Sequence, residues 1–402
     1  MYLMPYSESL ELLENLDVRE CSGENCFVAD TQNRILHEDI VALNNYPEYP
    51  TASMDGYAVK HLDLDSSRLK VLQDNPAGSV TEVEVTHGTC IKTFTGSLMP
   101  LGADTLIPIE NVTVDANEII INEVVPFGFS VRPVAESYSI GDVLIQKGVN
   151  IGFAHIGVMA GLNVVQTRVR VKPRVAILST GSEILDVGQE RSNDAQIRSS
   201  NHLTLAAIAK EYGAEPVQFG VIGDDKEQIK SRIEEALRVS DIVVTTGGVS
   251  VGDYDFVKTI VPAIGAKIIF QRVNIKPGRH ILLAQIGEKF IVALPGFAYS
   301  STVTFLIYVV PLIKRMLGLK SNLRVVKAYL AQEFKKRGDK TEFTACNLYE
   351  KSGKLTVDFI DKKVGSSAIL TNLLGQSALM VSAESDNEIS IGSLVDVIVL
   401  DL

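Results

Sequence analysis

Few cysteines and no long hydrophobic run limit what this chain of 402 residues can be. The four cysteines are scattered, and they are too few for a disulfide framework. Cys21 and Cys26 are separated by four residues with no second pair, which favours buried or free thiols over a zinc site. The apolar run at 305–313 is far shorter than the roughly 20 residues that cross a bilayer.

An excess of basic residues is also missing. The net charge of −11 argues against a general nucleic-acid or acidic-membrane surface. The N-terminal segment carries Glu8, Glu11 and Glu14 where a signal peptide would have lysine or arginine. With 46% apolar and 22% charged residues, the composition is that of a soluble globular protein. We therefore predict a cytoplasmic protein without nucleic-acid or membrane partners.

Residue periodicity changes several times along the chain, and the length predicts two to four domains. Residues 46–140 alternate on a period of two, which indicates a small β domain. From residue 173 β-branched runs alternate with helical spacing, and residues 323–402 return to β character. The predicted domains are 1–45 joined by 141–172, 46–140, 173–322 and 323–402.

The region from residue 173 has the pattern of an α/β sheet with helices on both faces. Helices are predicted near 200–212, around Ile229, Ile233 and Leu237, and over 300–317. Strands are predicted at 174–179, 217–222, 241–246, 267–270, 281–284 and 290–294.

A glycine-rich stretch at 245–258 follows one of these strands and precedes helix-like spacing. Such a turn exposes backbone N–H groups and predicts an anion site, and Asp253 and Asp255 beside it suggest a hard cation such as Mg²⁺. It is not a Walker A loop, because Asp253 and not lysine follows Gly252. The alternative is a plain strand-to-helix turn in which Ser250 or an aspartate caps the helix.

Other polar and glycine-rich segments also follow predicted strands. In open α/β sheets ligands bind at the carboxyl ends of the strands, so these segments predict one shared ligand site. Asp224 could instead cap the following helix, and the basic cluster of Lys276, Arg279 and His280 could be a solvated loop. The segments are Thr180–Glu183, Gly223–Asp225, the glycine-rich stretch, Lys276–His280 and Pro295–Gly296.

Together these motifs resemble the MoeA family of molybdopterin molybdenumtransferases, which are related to the E domain of gephyrin. The resemblance covers nearly the whole chain. It rests on Ser53–Val59 (Ser-Met-Asp-Gly-Tyr-Ala-Val), Ser179–Glu183, Thr245–Asp255, Lys276–Gly278 (Lys-Pro-Gly) and Leu294–Gly296 (Leu-Pro-Gly).

The resemblance implies a fold and an activity. The fold is multidomain α/β plus β, with a central three-layer α/β/α molybdopterin-binding domain, a β domain inserted before it and a C-terminal β-barrel-like domain. The activity is Mg²⁺-dependent insertion of molybdate into adenylylated molybdopterin with release of AMP. A homodimer is implied, with an active cleft that uses both subunits, as is exchange with the molybdopterin adenylyltransferase and acceptor molybdoenzymes.

The resemblance also implies roles for individual residues. Asp55, Asp255 and Lys276 are the catalytic candidates, and Asp224 and Asp255 the metal ligands. Lys276 and Arg279, with Ser300 and a serine of Gly365–Ser367, match the region where the family holds the oxyanion. The substrate-binding candidates are Thr95, Glu183, Asp224, Gly247, Gly248, Ser250, Arg279, Pro295, Ser300 and Ser367.

This chain departs from the family pattern at several positions, and the departures leave other functions open. One alternative is a non-catalytic paralogue that binds molybdopterin as a scaffold or delivery partner. Another is an adenylyltransferase that shares the α/β domain, although the long flanking domains and Asp55 argue against it. The departures are Ser137 in place of aspartate, Phe297-Ala298 in place of Asn-Pro, Arg279-His280 in place of Lys-Pro, Arg198-Ser199-Ser200 before Asn201, and a missing arginine near Glu342-Phe343.

Overall fold

The computed structural model describes residues 3–248, 257–336 and 338–400, which form two compact units. Unit 1 takes the described residues up to Cys26, then Asn33–His37 and those from Arg168 onward. Unit 2 takes Phe27–Gln32 and Glu38–Thr167. The N-terminal helix α1 (Tyr6–Glu14) belongs to unit 1, where it buries Leu13 in the core.

Unit 2 is organised around a six-stranded sheet and carries one α-helix, α2 (Phe153–Gly161). Alternate side chains of its strands, including Tyr57, Cys90 and Ile119, form the core, as period-two patterning requires. The strands are β1 (Gly56–Val59), β2 (Arg68–Asn75), β3 (Thr89–Thr93), β4 (Thr105–Pro108), β5 (Val112–Asp115) and β6 (Glu118–Ile121). They lie in the order β4-β1-β3-β2-β6-β5.

The central part of unit 1 is a second six-stranded sheet between two layers of helices. Its strands are β7 (Arg174–Thr180), β8 (Glu215–Ile222), β9 (Ile242–Thr246), β10 (Lys267–Gln271), β11 (Leu282–Ile286) and β12 (Lys289–Leu294). The helices are α3 (Asn201–Glu211), α4 (Lys226–Val239), α5 (Val257–Ala263), α6 (Ala298–Thr304) and α7 (Val310–Met316). The sheet order is β8-β7-β9-β12-β11-β10. The first four strands of this order, β8, β7, β9 and β12, are parallel to one another.

Successive residues of the central strands point to opposite helix layers. Val175 and Ile177 of β7 pack in one cluster with α3 and α6, whereas Ala176 and Leu178 pack in another with α4 and α5. Strands covered on both faces are continuously apolar, which is why the β-branched runs could be found in the sequence. The predicted strands and the three-layer arrangement are confirmed.

The helix predicted over 300–317 is interrupted. A π-helical turn at Phe305–Val309 joins α6 to α7, and Pro311 is the second residue of α7. Proline has no N–H to donate to the preceding turn, so the α-helical hydrogen-bond ladder cannot pass through this point unchanged.

The C-terminal part of unit 1 is a closed five-stranded barrel, which confirms the predicted C-terminal β-barrel-like domain. Its strands are β13 (Val325–Leu330), β14 (Thr341–Lys351), β15 (Lys354–Asp358), β16 (Ser377–Ser382) and β17 (Leu394–Val399). They close in the order β14-β15-β13-β17-β16, and β16 pairs back to β14. The barrel shares a core with the central sheet through Phe343 and Leu379.

Short strands and helical turns complete the two units. The strands are Gly23–Phe27, Ile40–Val41, Thr51–Ala52, Val131–Arg132, Val143–Ile145, Gln166–Arg170, Ile184–Leu185, Ile197–Arg198, Ile275–Lys276, Phe334–Lys335 and Glu388–Ile389. The 3₁₀ turns are Val28–Asp30, His61–Asp63, Ile109–Asn111 and Leu370–Leu373. All four cysteines are free thiols, as predicted, and burial raises the pKa of Cys90 and Cys346 to about 12.

Candidate active site

A cavity of about 760 Å³ opens in unit 1 at the carboxyl ends of β7, β9 and β12. Strand β7 lies between β8 and β9 in the sheet. The connection from β8 to β9 therefore passes over β7, and the order in which strands are added to the sheet reverses there. Such a switch point is where open α/β sheets bind ligands. The lining includes Thr180, Gly181 and Glu183 after β7, Asp224 after β8, Gly247 and Gly248 after β9, and Pro295 and Gly296 after β12.

The turn after β9 can only be built from glycine. Gly247 and Gly248 have φ of +92° and +67°, and a Cβ on Gly247 would lie 2.7 Å from the carbonyl oxygen of Thr180. A Cβ on Gly296 would lie 3.7 Å from the Cα of Gly247, so the turns after β9 and β12 touch. Bare backbone therefore forms this part of the cavity, and a ligand can approach it closely.

Two carboxylates line the cavity on its β7 and β8 side. The Glu183 side chain folds back over Gly181, where its oxygens lie 2.8 and 2.9 Å from the position of a Gly181 Cβ. Asp224 Oδ2 accepts the N–H of Ser182 at 3.0 Å, and the Asp224 N–H donates to Ser182 Oγ at 3.1 Å. This reciprocal pair orients Asp224 without using its Oδ1 in the bond.

The cap of α4 is Asp225 and not Asp224. The Asp225 carboxylate accepts the N–H of Gln228 at 2.8 Å, which is the usual N-cap bond. The neighbouring Asp224 is thereby available to the cavity. The alternative interpretation of Asp224 as a helix cap is wrong.

Hydroxyl groups and a histidine form a chain of hydrogen bonds at the bottom of the cavity. Thr246 Oγ1 donates to Ser179 Oγ at 3.1 Å, and Ser179 Oγ lies 3.3 Å from Ser199 Oγ. His202 is buried, with Nδ1 3.0 Å from Ser199 Oγ and Nε2 3.1 Å from Asp186 Oδ1. Sequence reasoning assigned no role to His202 or Asp186, although Ser179 and Thr246 lie in two of the family motifs and Ser199 lies in the unusual segment before Asn201.

Lys276 lies in a second, smaller cavity of about 20 Å³, roughly the space of one water molecule. Ile275 and Lys276 pair in parallel with Thr341 and Glu342 at the start of β14. This register brings Lys276 Nζ to 3.0 Å from Glu342 Oε1. The Glu342 side chain is only 6% exposed, so the positive charge of Lys276 already has a buried counter-charge.

Ser367 and Ser300 are associated with this smaller cavity, and Arg279 follows Lys276 by three residues. Ser367 lines it, and Ser300 donates through N–H and Oγ to the Ser367 carbonyl at 3.1 and 3.2 Å. Arg279 is half-buried, and its Nε has no hydrogen-bond partner among the described protein atoms. His280 of the same loop lines the large cavity, because β11 runs antiparallel to β12 and starts at the edge where β12 ends.

Unit 2 brings Asp55 and Thr95 into contact. Thr95 donates its N–H at 2.8 Å and its Oγ1 at 2.7 Å to Asp55 Oδ1. These bonds, the backbone one first, hold the pKa of Asp55 below its ordinary value. Asp55 is exposed and thus remains a carboxylate at neutral pH.

Three candidates lie outside the described residues: Ser250, Asp253 and Asp255. Within the described ranges, no cluster of three histidine, cysteine, aspartate or glutamate side chains is arranged to hold a metal ion. In the same ranges, no helix has the length and apolar character that crossing a membrane requires.

Comparison with known proteins identifies the family. Residues 4–162 match the profile "MoeA N-terminal region (domain I and II)", and residues 176–315 match "Probable molybdopterin binding domain". The molybdopterin molybdenumtransferase of Nostoc sp. is 32% identical over 414 residues, covering 100% of this chain and 91% of that protein. This chain belongs to the MoeA family.

Other MoeA relatives support the same assignment over the full length. The molybdopterin molybdenumtransferase of Staphylococcus epidermidis is 28% identical over 389 residues, covering 95% of this chain and 92% of that protein. A crystal structure of the molybdopterin biosynthesis MoeA protein from Pyrococcus horikoshii has a TM-score of 0.83 and 29% identity, covering 99% of this chain and all of that one. The resemblance predicted from the sequence motifs is confirmed, and so are the MoeA fold and the class of transferase.

Proposed function

We propose that this chain inserts molybdate into adenylylated molybdopterin and releases AMP. The observation that carries the proposal is the large cavity of unit 1, where bare glycine backbone and two carboxylates meet at a switch point of the sheet. Glycine backbone admits a phosphate closely, and the family relationship supports a pterin as the rest of the ligand. No nucleophilic side chain is required, because positioning and electrostatics suffice for cleaving a phosphoanhydride.

We propose further that Asp224 and Asp255 bind Mg²⁺. The donor set fits, since carboxylate oxygens are the ligands that Mg²⁺ takes. The bound ion would neutralise charge on the leaving phosphate. Asp224 is suited to this role because Ser182 fixes its orientation through Oδ2, and Glu183 adds a second carboxylate to the same wall of the cavity.

The proposed oxyanion site is beside Lys276, with Arg279, Ser300 and Ser367 around it. Arginine and lysine can hold a tetrahedral dianion through charged hydrogen bonds. The small cavity of about 20 Å³ does not accommodate molybdate as it stands. Binding therefore requires the side chains around this cavity to move and make room. Asp55 and Thr95 of unit 2 complete the proposed set of functional residues.

A homodimer is proposed from the surface of unit 2. Helix α2 is almost entirely apolar, yet only Met159 among its residues is fully buried. Phe153 is 88% exposed, and Val158, Phe27 and Val165 are also exposed. Apolar patches of this kind mark protein contacts. Phe153→Asp is expected to give a monomer by light scattering.

The cytoplasmic location and the exchange with an adenylyltransferase and molybdoenzymes stay predictions.

The decisive experiment is a turnover assay with adenylylated molybdopterin, molybdate and Mg²⁺, followed for AMP release. The proposal predicts release by the wild type and release slowed on the order of 30-fold in Asp224→Ala. A non-catalytic scaffold would release no AMP and would still gain thermal stability on adding molybdopterin. That result would replace the proposed function with the scaffold alternative.

A further inference from the structure

Phe297 breaks two local rules at the rim of the large cavity. It lies in the turn between β12 and α6, lines the cavity, and is 62% exposed. It also occupies the N-cap position of α6, where it makes no side-chain capping bond. Serine, threonine, aspartate and asparagine are preferred at that position because they satisfy a free N–H. A residue that gives up both capping and burial points to a functional role.

The position of Phe297 relative to the glycine turn suggests which part of a ligand it meets. The preceding residue, Gly296, would place a Cβ 3.7 Å from the Cα of Gly247. Asn201 Nδ2 donates to the Gly296 carbonyl at 2.8 Å and holds this turn in place. Phe297 is therefore the next residue after a backbone that touches the glycine turn, and it lines the same cavity as Gly247 and Gly248. Groups bonded to that phosphate would lie within reach of the ring.

Most of the remaining cavity lining is small or polar, with Ser179, Thr180 and Ser199 among its members. Ile197 is also exposed at the rim and adds a second apolar side chain. Hydroxyls and glycines suit phosphate and sugar oxygens, whereas an exposed phenyl ring suits a flat apolar face. Aromatic side chains that bind nucleotides without base-specific contacts use this kind of stacking.

We propose that Phe297 stacks on a planar heteroaromatic ring of the bound ligand and sets the affinity for it. The proposal rests on the proposed function, in which the ligand carries two such rings, adenine and pterin. A stacking contact that is made equally in the ground state and the transition state changes KM and not kcat, and this is the effect that we assign to the phenyl group. Phe297 is thus a specificity-determining residue in our proposal.

The test compares Phe297→Ala with the wild type in the AMP-release assay. We expect KM for adenylylated molybdopterin to rise about 5- to 10-fold, the equivalent of one aromatic stacking contact, with kcat within about twofold. Phe127→Ala removes a phenyl group that is 71% exposed in unit 2 and serves as the matched control. An unchanged KM in Phe297→Ala overturns the inference. If the wild type releases no AMP, the proposed function itself fails.

A second variant separates stacking from a structural role. Phe297→Asn supplies a good N-cap, so its Tm should equal or exceed that of the wild type while its KM rises as in Phe297→Ala. A merely structural Phe297 predicts the opposite, with Tm falling in Phe297→Ala and KM unchanged in Phe297→Asn.

The ring is identified with small probes. The chain contains no tryptophan, so Phe297→Trp introduces a single tryptophan at the rim, which can be excited selectively at wavelengths that tyrosine does not absorb. Titration with AMP, with ribose 5-phosphate and with a pterin monophosphate distinguishes the sources. A saturable change with AMP or with the pterin, but not with ribose 5-phosphate, supports stacking and names the ring. A response to ribose 5-phosphate equal to that of AMP contradicts it.

Discussion

Unit 1 contains two cavities with charged linings, and they differ in what the charges face. In the large cavity, Asp224 and Glu183 line about 760 Å³ of open space, and Asp224 is oriented by the neutral groups of Ser182. In the small cavity, Lys276 is already paired with the buried Glu342. The large cavity is open before a ligand binds, whereas in the small cavity the charge that would bind a ligand already has a counter-charge.

This difference separates the two kinds of mutational effect. Buried polar groups in the small cavity contribute to stability and to binding at once, because removing one partner leaves the other uncompensated. Groups that face open space in the large cavity can be removed with little effect on folding. Activity and stability should therefore change independently at the first site and together at the second.

The largest effect is expected from Gly247→Ala. The new Cβ would lie 2.7 Å from the Thr180 carbonyl oxygen, and the φ of +92° is strained for any residue with a side chain. The turn must shift, and a displacement of about 1 Å can cost on the order of 100-fold in turnover. AMP release measures the loss, and circular dichroism checks that the fold is retained.

Gly265→Ala is the matched control for that variant. Gly265 has a φ of +83°, and a Cβ there would meet nothing within 4 Å. It should carry the same backbone strain, about 1 kcal/mol, without a steric collision. Equal losses of turnover in the two variants would mean that strain alone matters and that the cavity wall at Gly247 has no special role.

The next largest effect is expected from Asp224→Ala, compared with Asp225→Ala. Removing the carboxylate that lines the cavity should lower turnover on the order of 30-fold and raise the Mg²⁺ concentration that it requires. Removing the α4 cap should leave turnover nearly unchanged and cost about 1 kcal/mol of unfolding free energy. Denaturant melts and Mg²⁺ titrations distinguish the two. The reverse assignment of effects would show that Asp224 is the structural aspartate.

This pair also marks how far sequence reasoning could go at the large cavity. Strands β7, β9 and β12 were predictable because they are buried on both faces and therefore largely apolar, and the segments after them followed from strand polarity. Asp224 and Asp225 are adjacent and identical in type, so no pattern could decide which one caps α4. That choice depends on where the first turn of the helix begins.

The small cavity was beyond local reasoning for a different reason. Lys276 and Glu342 are 66 residues apart, and they meet only because the two-residue strand Ile275–Lys276 pairs with barrel strand β14. Nothing near Lys276 in the sequence indicates a counter-charge. The π-helical turn at Phe305–Val309 was missed in the same way, since Pro311 signals an interruption but not the form that it takes.

A smaller effect is expected from Glu342→Gln, which tests whether the small cavity binds an oxyanion at all. The substitution keeps the shape of the side chain and frees the charge of the half-exposed Lys276. Removing a like charge near a dianion is worth about 1 kcal/mol, so KM for molybdate should fall about 5-fold. Glu350→Gln alters an exposed glutamate on the same strand and should have no effect. An unchanged or higher KM in Glu342→Gln would contradict an oxyanion site at Lys276.

The smallest effect is expected at Asp55, where one oxygen is already taken and the side chain is still exposed. Hydrogen bonds from Thr95 lower its pKa, so their contribution to stability is present above the ordinary aspartate pKa and is lost as pH falls through the lowered value. Thr95→Val removes the Oγ1 donor and keeps the N–H donor, which is the larger cause. The pKa of Asp55 should therefore rise but stay below its ordinary value. Carboxyl NMR titration of the wild type and of Thr95→Val measures this. A pKa that reaches the ordinary value in the variant would mean that the Thr95 hydroxyl, and not its backbone N–H, lowers the pKa of Asp55.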